Sequence, residues 1–324
     1  MAIRTAVLAL GAAMATVFCA QAQDRLVVVN KSDDTVSLVD AASYAEQTVI
    51  AVGENPHEVA ISPDGSTAYV SDYGPEARGE TISVIDLDAG AVSARWDLDG
   101  NLGPHGIWAS ADGANVWTTT ETTGTVVEID AATGDVTRVW ETGQQLSHQL
   151  VPAPDGSKLF VANITSGSVS VIDRAYDSVT TVRTGPGAEG IDVSPDGAEV
   201  WVTNRDSGTI SVIDAATDAI LESFPSGGQV PIRLKFTPDG EEAWVSNAAS
   251  GEVTVFDVET RELIAAVEVG AAPVGLLMSP DGSRVFVANT GADRVSVIDR
   301  ETYAVVDSFE AGDEPDGLGW APAE

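Results

Sequence analysis

Cysteine is almost missing from this chain: Cys19 is the only one among 324 residues. That excludes a disulfide framework, a cysteine nucleophile and any thiolate metal site, provided Cys19 leaves with the segment that holds it. Basic residues are scarce as well, 16 Lys plus Arg against 50 Asp plus Glu, for a formal charge of −34. So acidic a chain repels nucleic acid and anionic lipid, and neither is expected as a partner; a small anionic molecule or a basic protein is. Several chemical signatures are lacking too. There is no glycine loop to cradle phosphate, no HExxH helix and no GxSxG elbow, so neither a nucleotide nor a thiol-bound cofactor is expected. Long apolar runs are lacking except near the start. There Arg4, the apolar stretch from Ala6 to Ala20 and the small residues of Ala20-Gln21-Ala22 read as a cleavable signal peptide over residues 1–22. The expected location is periplasmic or secreted, without membrane insertion and as a monomer, with Cys19 removed.

What the chain has in abundance is one repeated unit. Val267 to Asp299 reads VEVGAAPVGLLMSPDGSRVFVANTGADRVSVID, four short β-branched pieces bounded by Gly, Pro, Asn and Asp. Its turn aspartate recurs as Asp64, Asp112, Asp155, Asp196, Asp239 and Asp281, at steps of 48, 43, 41, 43 and 42 residues. A strand-ending aspartate recurs seven times, as Asp40, Asp86, Asp130, Asp173, Asp214, Asp257 and Asp299. Four strands at a period in the low forties predict an all-β, seven-bladed propeller, a single domain over 23–324. RLVVVN at 25–30 matches a second strand and PDGLGWAP at 315–322 a first strand, so the two ends are expected to share one blade and close the ring. Asn30, Asp72, Thr120, Asn163, Asn204, Asn247 and Asn289 end the second strands, where Asx turns are expected. Trp108, Trp117, Trp201, Trp244 and Trp320 fall in first or second strands and are expected to pack between blades.

All three histidines, His57, His105 and His148, occupy the second position of a first strand. Glu189, Ile232, Val274 and Asp316 fill that position in the other units. First strands surround a propeller's axis, so His57, His105, His148 and Glu189 are expected to converge at one mouth of the channel. Three imidazoles and a carboxylate suit a divalent transition metal, Zn, Mn, Fe or Cu. Glu58 and Gln149 are expected as acceptors behind the imidazoles. Arg233 and Arg205, with Asp316, are the candidate ligand-binding residues, the arginines for a carboxylate. Tyr73 to Gly79 extends the loop before Asp86 and is expected above the His mouth, as a lid or as an inert insertion. Glu58 and Tyr73 are the candidate catalytic groups should the site do chemistry.

AYVSD, LFVAN, VWVTN, AWVSN and VFVAN, each followed by a VSVID-like strand, resemble YVTN-type repeats, and residues 25–322 are similar to YncE-like periplasmic propellers. The resemblance implies the fold and supplies no catalytic residues. It also implies an accessory or scaffold role near a periplasmic oxidoreductase. Three functions therefore stand beside one another: a metal- and anion-binding recognition or accessory protein, a metal-dependent lyase or lactone hydrolase at the three-His site, and an interaction scaffold.

Overall fold

The computed structural model describes residues 23–323; the signal peptide expected over 1–22, with Cys19, lies outside the described residues. Twenty-eight strands form seven four-stranded antiparallel sheets, as the repeat predicts. The innermost strands are β4 (Pro56–Ile61), β8 (Pro104–Ala109), β12 (Ser147–Pro152), β16 (Ala188–Val193), β20 (Pro231–Phe236), β24 (Pro273–Met278) and β28 (Pro315–Ala321). Each touches the next around the ring, and β28 touches β4. β28 pairs with β1 (Arg25–Asn30), Arg25 opposite Ala321, so both ends of the chain build one blade. No helix among the described residues is long and apolar enough to cross a membrane.

Continuous burial along the middle strands of each blade makes the core. Second and third strands are buried on both faces, as in LFVAN with Phe160, Val161 and Ala162 fully enclosed, because each blade is covered by its two neighbours. Outermost strands are exposed along most of their length, with one or two inward positions partly or fully buried. Trp117, Trp201 and Trp244 fill the spaces between blades, as expected. Trp108 and Trp320 also pack against core clusters between blades, and in addition both line a cavity inside the channel.

The expected Asx turns are also displaced. Asn30, Asn163, Asn204, Asn247 and Asn289 reach across to a hydroxyl seven residues on, for example Asn204 Nδ2 to Ser211 Oγ at 2.9 Å, and so tie second strand to third. Asp72 does the same by accepting from Ser83. The amide-capping turns lie at the strand-ending aspartates instead, where Asp214 accepts from the amides of Ala216 and Thr217.

One irregularity recurs in every blade. Register between first and second strand slips after position one: Pro56 faces Asp72 and Val59 faces Val70, and the same step appears in the other six sheets. Each innermost strand thus carries a β-bulge at positions two and three. The freed amide of position three is taken up by a second-strand hydroxyl, Glu58 by Ser71, Gly106 by Thr119, Gly190 by Thr203 and Arg233 by Ser246. Several of those hydroxyls in turn donate to the next blade, Thr119 Oγ1 to the His148 carbonyl at 2.5 Å and Ser246 Oγ to the Val274 carbonyl at 2.8 Å. This explains the Ser or Thr before the terminal Asn in VWVTN and AWVSN: it satisfies a buried amide and laces two blades together. Position three is glycine in four blades because inner strands crowd there; a Cβ on Gly275 would lie 2.0 Å from the Asp316 carbonyl oxygen.

Candidate functional site at the axial mouth

The bulge turns two successive side chains per blade off the ladder and toward the axis. Position two brings together His57, His105, His148, Glu189 and Asp316, the convergence expected from register. His105 is the middle of a stack: its ring centroid lies 4.6 Å from that of His57 and 3.8 Å from that of His148. His105 and His148 are buried and His57 is half-buried.

Each imidazole has a different electrostatic neighbour. His148 Nδ1 bonds to Glu121 Oε1, and its Nε2 lies 3.5 Å from Glu189 Oε1 and 3.5 Å from Arg233 Nη1. Burial opposes its charge, but the bonds to Glu121 and Glu189 outweigh that and raise its pKa to about 9. Conversely, Glu121 and Glu189 are held below the usual range against their burial, chiefly by His148. His105 stays neutral: burial and the adjacent His148 and His57 push its pKa far down. His57 Nδ1 sits 3.0 Å from Asp316 Oδ2, an ion-pair distance whose angle is too bent for a good hydrogen bond. Burial works against Asp316 ionising, yet His57 and Arg233 hold its pKa at about 2. The Nδ1 atoms of His57 and His105 are sealed from solvent. No described residue engages either Nε2, which leaves those atoms for a ligand.

Position three supplies a second polar layer beneath the first. Glu58 Oε1 accepts from Arg233 Nη2 at 2.5 Å and from Gln149 Nε2 at 2.7 Å. Glu58 therefore binds Gln149 and Arg233, and neither it nor Gln149 engages the imidazoles as the sequence suggested; Asp316 and Glu121 lie against the rings. Arg233 is buried among Glu58, Asp316 at 3.7 Å and Glu189 at 4.0 Å. Arg205 binds Glu189 at 2.8 Å from the rim. Both arginines thus neutralise protein carboxylates, with Arg205 still partly exposed.

The extended loop lies where it was expected. The Tyr73 ring lies tilted 4.5 Å from that of His57 and edge-on to His105 at 5.6 Å, and its hydroxyl donates to Glu121 Oε2 at 2.5 Å. Burial and then Glu121 push the Tyr73 pKa above the range in which a phenol ionises near neutrality, so it is a donor here and not a base. A short 3-10 turn, Pro75–Ala77, bridges to the next blade, where Gly103 donates to the Gly79 carbonyl at 2.8 Å and Thr122 to that of Ala77 at 2.6 Å.

Glu121 escaped the sequence reading. Its signal was a register one step beyond the strand-ending Asx position: Lys31, Tyr73, Glu121 and Arg205 all occupy it. His105, Glu121 and His148 each offer a ligand atom, all within 4.8 Å of one another, and this trio replaces the expected His57, His105, His148 and Glu189 set as the tightest potential metal cluster among the described residues.

The raised His148 pKa has a measurable consequence. Its contribution to stability is complete below pH 6.5 and is lost as pH rises through about 9. Unfolding free energy should fall by about 3 kcal/mol across that window. In His148→Gln the denaturant midpoint should stay flat over the same range; an equal slope in both proteins would remove the imidazolium from the site.

Fold and site together define a seven-bladed propeller whose axis is closed by a histidine and carboxylate cluster. The family described as "Lactonase, 7-bladed beta-propeller" matches residues 51–268, and the chain belongs to that family. Among solved structures it is similar to the periplasmic gluconolactonase of Pseudomonas aeruginosa, at 21% identity, TM-score 0.75, covering 93% of this chain and 100% of that one. It is similar also to a Kuenenia stuttgartiensis hydrazine synthase chain, at 21% identity and TM-score 0.76, covering 85% and 92%. A putative 6-phosphogluconolactonase of Bacteroides fragilis aligns at 16% identity and TM-score 0.75, covering 92% and 98%. At these identities the likeness is one of fold. No curated protein matches the chain in sequence.

Proposed function

We propose that this protein is an exported lactone hydrolase that opens a small hydroxylated cyclic ester at the histidine mouth. Membership of a lactonase family supports the reaction class. The observation that carries the site is His57, half-buried at the mouth, with Asp316 behind Nδ1 and an unengaged Nε2. A carboxylate behind one nitrogen orients the ring and stabilises the imidazolium that forms when the other takes a proton. In the proposed reaction Nε2 of His57 removes a proton from water as its oxygen attacks the lactone carbonyl carbon. The endocyclic C–O bond then breaks, and the proton returns to the departing alkoxide, giving the open hydroxy acid. Neutral His105 lies beside His57 to hydrogen-bond the carbonyl oxygen, and the buried imidazolium of His148 favours the negative charge that develops there. Tyr73 covers the mouth and limits water. The gluconolactonase named among the similar structures supports aldonic lactones as the first substrates to try, and the apolar stretch before Ala22 supports export.

The test is acid release from glucono-δ-lactone and a panel of γ- and δ-lactones, followed by pH-stat above the spontaneous rate. Saturable turnover by the mature protein is expected; its absence across the panel, with the protein folded, would overturn the reading.

A second reading is a recognition or accessory protein that binds a divalent transition metal through His105, Glu121 and His148. Their clustering favours it, as does the excess of carboxylates over cations around the axis. Such an ion would supply Lewis acidity beside the mouth. It would also have to displace the proton that His148 shares with Glu121, and Arg233 nearby opposes a further positive charge. Metal content of purified protein, wild type against His105→Ala, separates the readings.

A further inference from the structure

The far half of the channel holds a separate cavity. The seven inner strands run in the same direction along the axis. The histidines sit at position two, whereas a cavity of about 330 Å³ is lined by positions three to six of the same strands. Arg233, Glu58 and Gln149 form its floor and separate it from the histidine mouth. Its walls are apolar, among them Ile107, Leu234, Leu276 and Leu318, and two indoles, Trp108 and Trp320, belong to them.

The lining leaves specific polar atoms unspent. Glu58 uses Oε1 for both Arg233 and Gln149, and no described residue donates to its Oε2. Gln149 spends its amide nitrogen on Glu58, and nothing described donates to its Oε1. Two acceptors on half-buried side chains thus share one end of an otherwise apolar space, where a ligand donor can meet them. Lys235, paired only loosely with Asp192 at 3.7 Å, lies 5.1 Å over the Trp108 ring and keeps that wall fixed.

We propose that this cavity binds a small phenol, ring between the aliphatic and indole walls and hydroxyl donating its one proton to Glu58 Oε2 or Gln149 Oε1. The volume suits a single ring with a short substituent, and small sites of this kind are largely apolar with few placed polar groups. An aromatic ring matches Trp108 and Trp320 by offset or edge contact. A hydroxyl gives its proton where acceptors wait, whereas a carboxylate head would face Glu58. The proposal does not rest on the lactone reaction, since the polar floor lies between the two sites.

Titration calorimetry of the mature protein with 4-methylphenol tests it. One saturable site is expected, with Kd below about 1 mM, well within what eight heavy atoms allow. Toluene, alike in shape without the hydroxyl, should bind at least about fivefold more weakly, the worth of one net hydrogen bond. Ile61→Trp and Ala109→Trp, at half-buried positions of the outer end, should each weaken binding by at least about tenfold by filling the space, with Tm unchanged. No saturable binding, toluene as tight as 4-methylphenol, or undiminished binding in both folded tryptophan variants would each overturn the proposal. His57→Ala should bind 4-methylphenol as the wild type does, so failure of the lactone reaction and failure of this site are told apart.

Discussion

Arg233→Met is expected to destabilise the protein by about 3–5 kcal/mol at neutral pH, the usual penalty for stripping one partner from a buried charge cluster. Methionine keeps much of the length and removes the one guanidinium that reaches Glu58, Asp316 and Glu189 together among the described residues; Arg205 still binds Glu189. Those three carboxylates then repel one another, with His148 and Arg205 left to offset Glu189, and the bond to Glu58 is lost outright. A fall in Tm of roughly 5–10 °C should accompany it. The penalty has a definite pH dependence. Arg233 helps to keep the pKa values of Glu189 and Asp316 low, so without it both rise and the groups protonate sooner as pH falls. The gap between variant and wild type should therefore narrow in acid. Adding Glu58→Gln should recover part of the loss, because the charge is removed while Gln149 keeps a partner. A variant as stable as wild type at pH 7 would mean that the axial cluster is not the buried ionic plug described above.

The second large effect concerns turnover. His57→Ala should lower kcat/KM for any lactone that the wild type opens by about 10²–10⁴, the range for loss of a general base. Asp316→Asn should keep the ring in place but weaken its support, so kcat should fall while KM moves little. His57 is half-buried whereas Asp316 is buried, and a Tm within a few degrees separates chemistry from collapse for His57→Ala. His105→Ala is expected to reduce kcat as well, by removing the neutral donor that lies between the other two rings. Equal activity of His57→Ala and wild type would place the reaction elsewhere or nowhere on this face.

These effects depend on contacts of quite different legibility. The register of His57, His105 and His148 is plain in the repeat, because position within a blade is counted along the chain. Tyr73 was legible for the same reason: it opens an insertion whose blade and end were known. Glu121 was not, since its blade position is ordinary and its importance comes from touching His148 on the next blade. The pairing of Arg233 with Glu58, 175 residues earlier, is likewise invisible along the chain. The expected partners Glu58 and Gln149 failed because proximity in sequence to a histidine says little once a bulge points both residues at the axis.

The sequence by itself determined how many blades there are, which strands face inward and which blade the two ends share, because strand alternation and turn chemistry are local and repeat with one period. Only the tertiary structure decided which imidazole is charged and which is neutral, and that two of the core-packing tryptophans also line the channel. Those outcomes follow from fields and free space near the axis. There, residues from seven separated segments meet at distances of a few ångströms and in low dielectric, where a neighbour's charge outweighs anything the residue's own segment supplies.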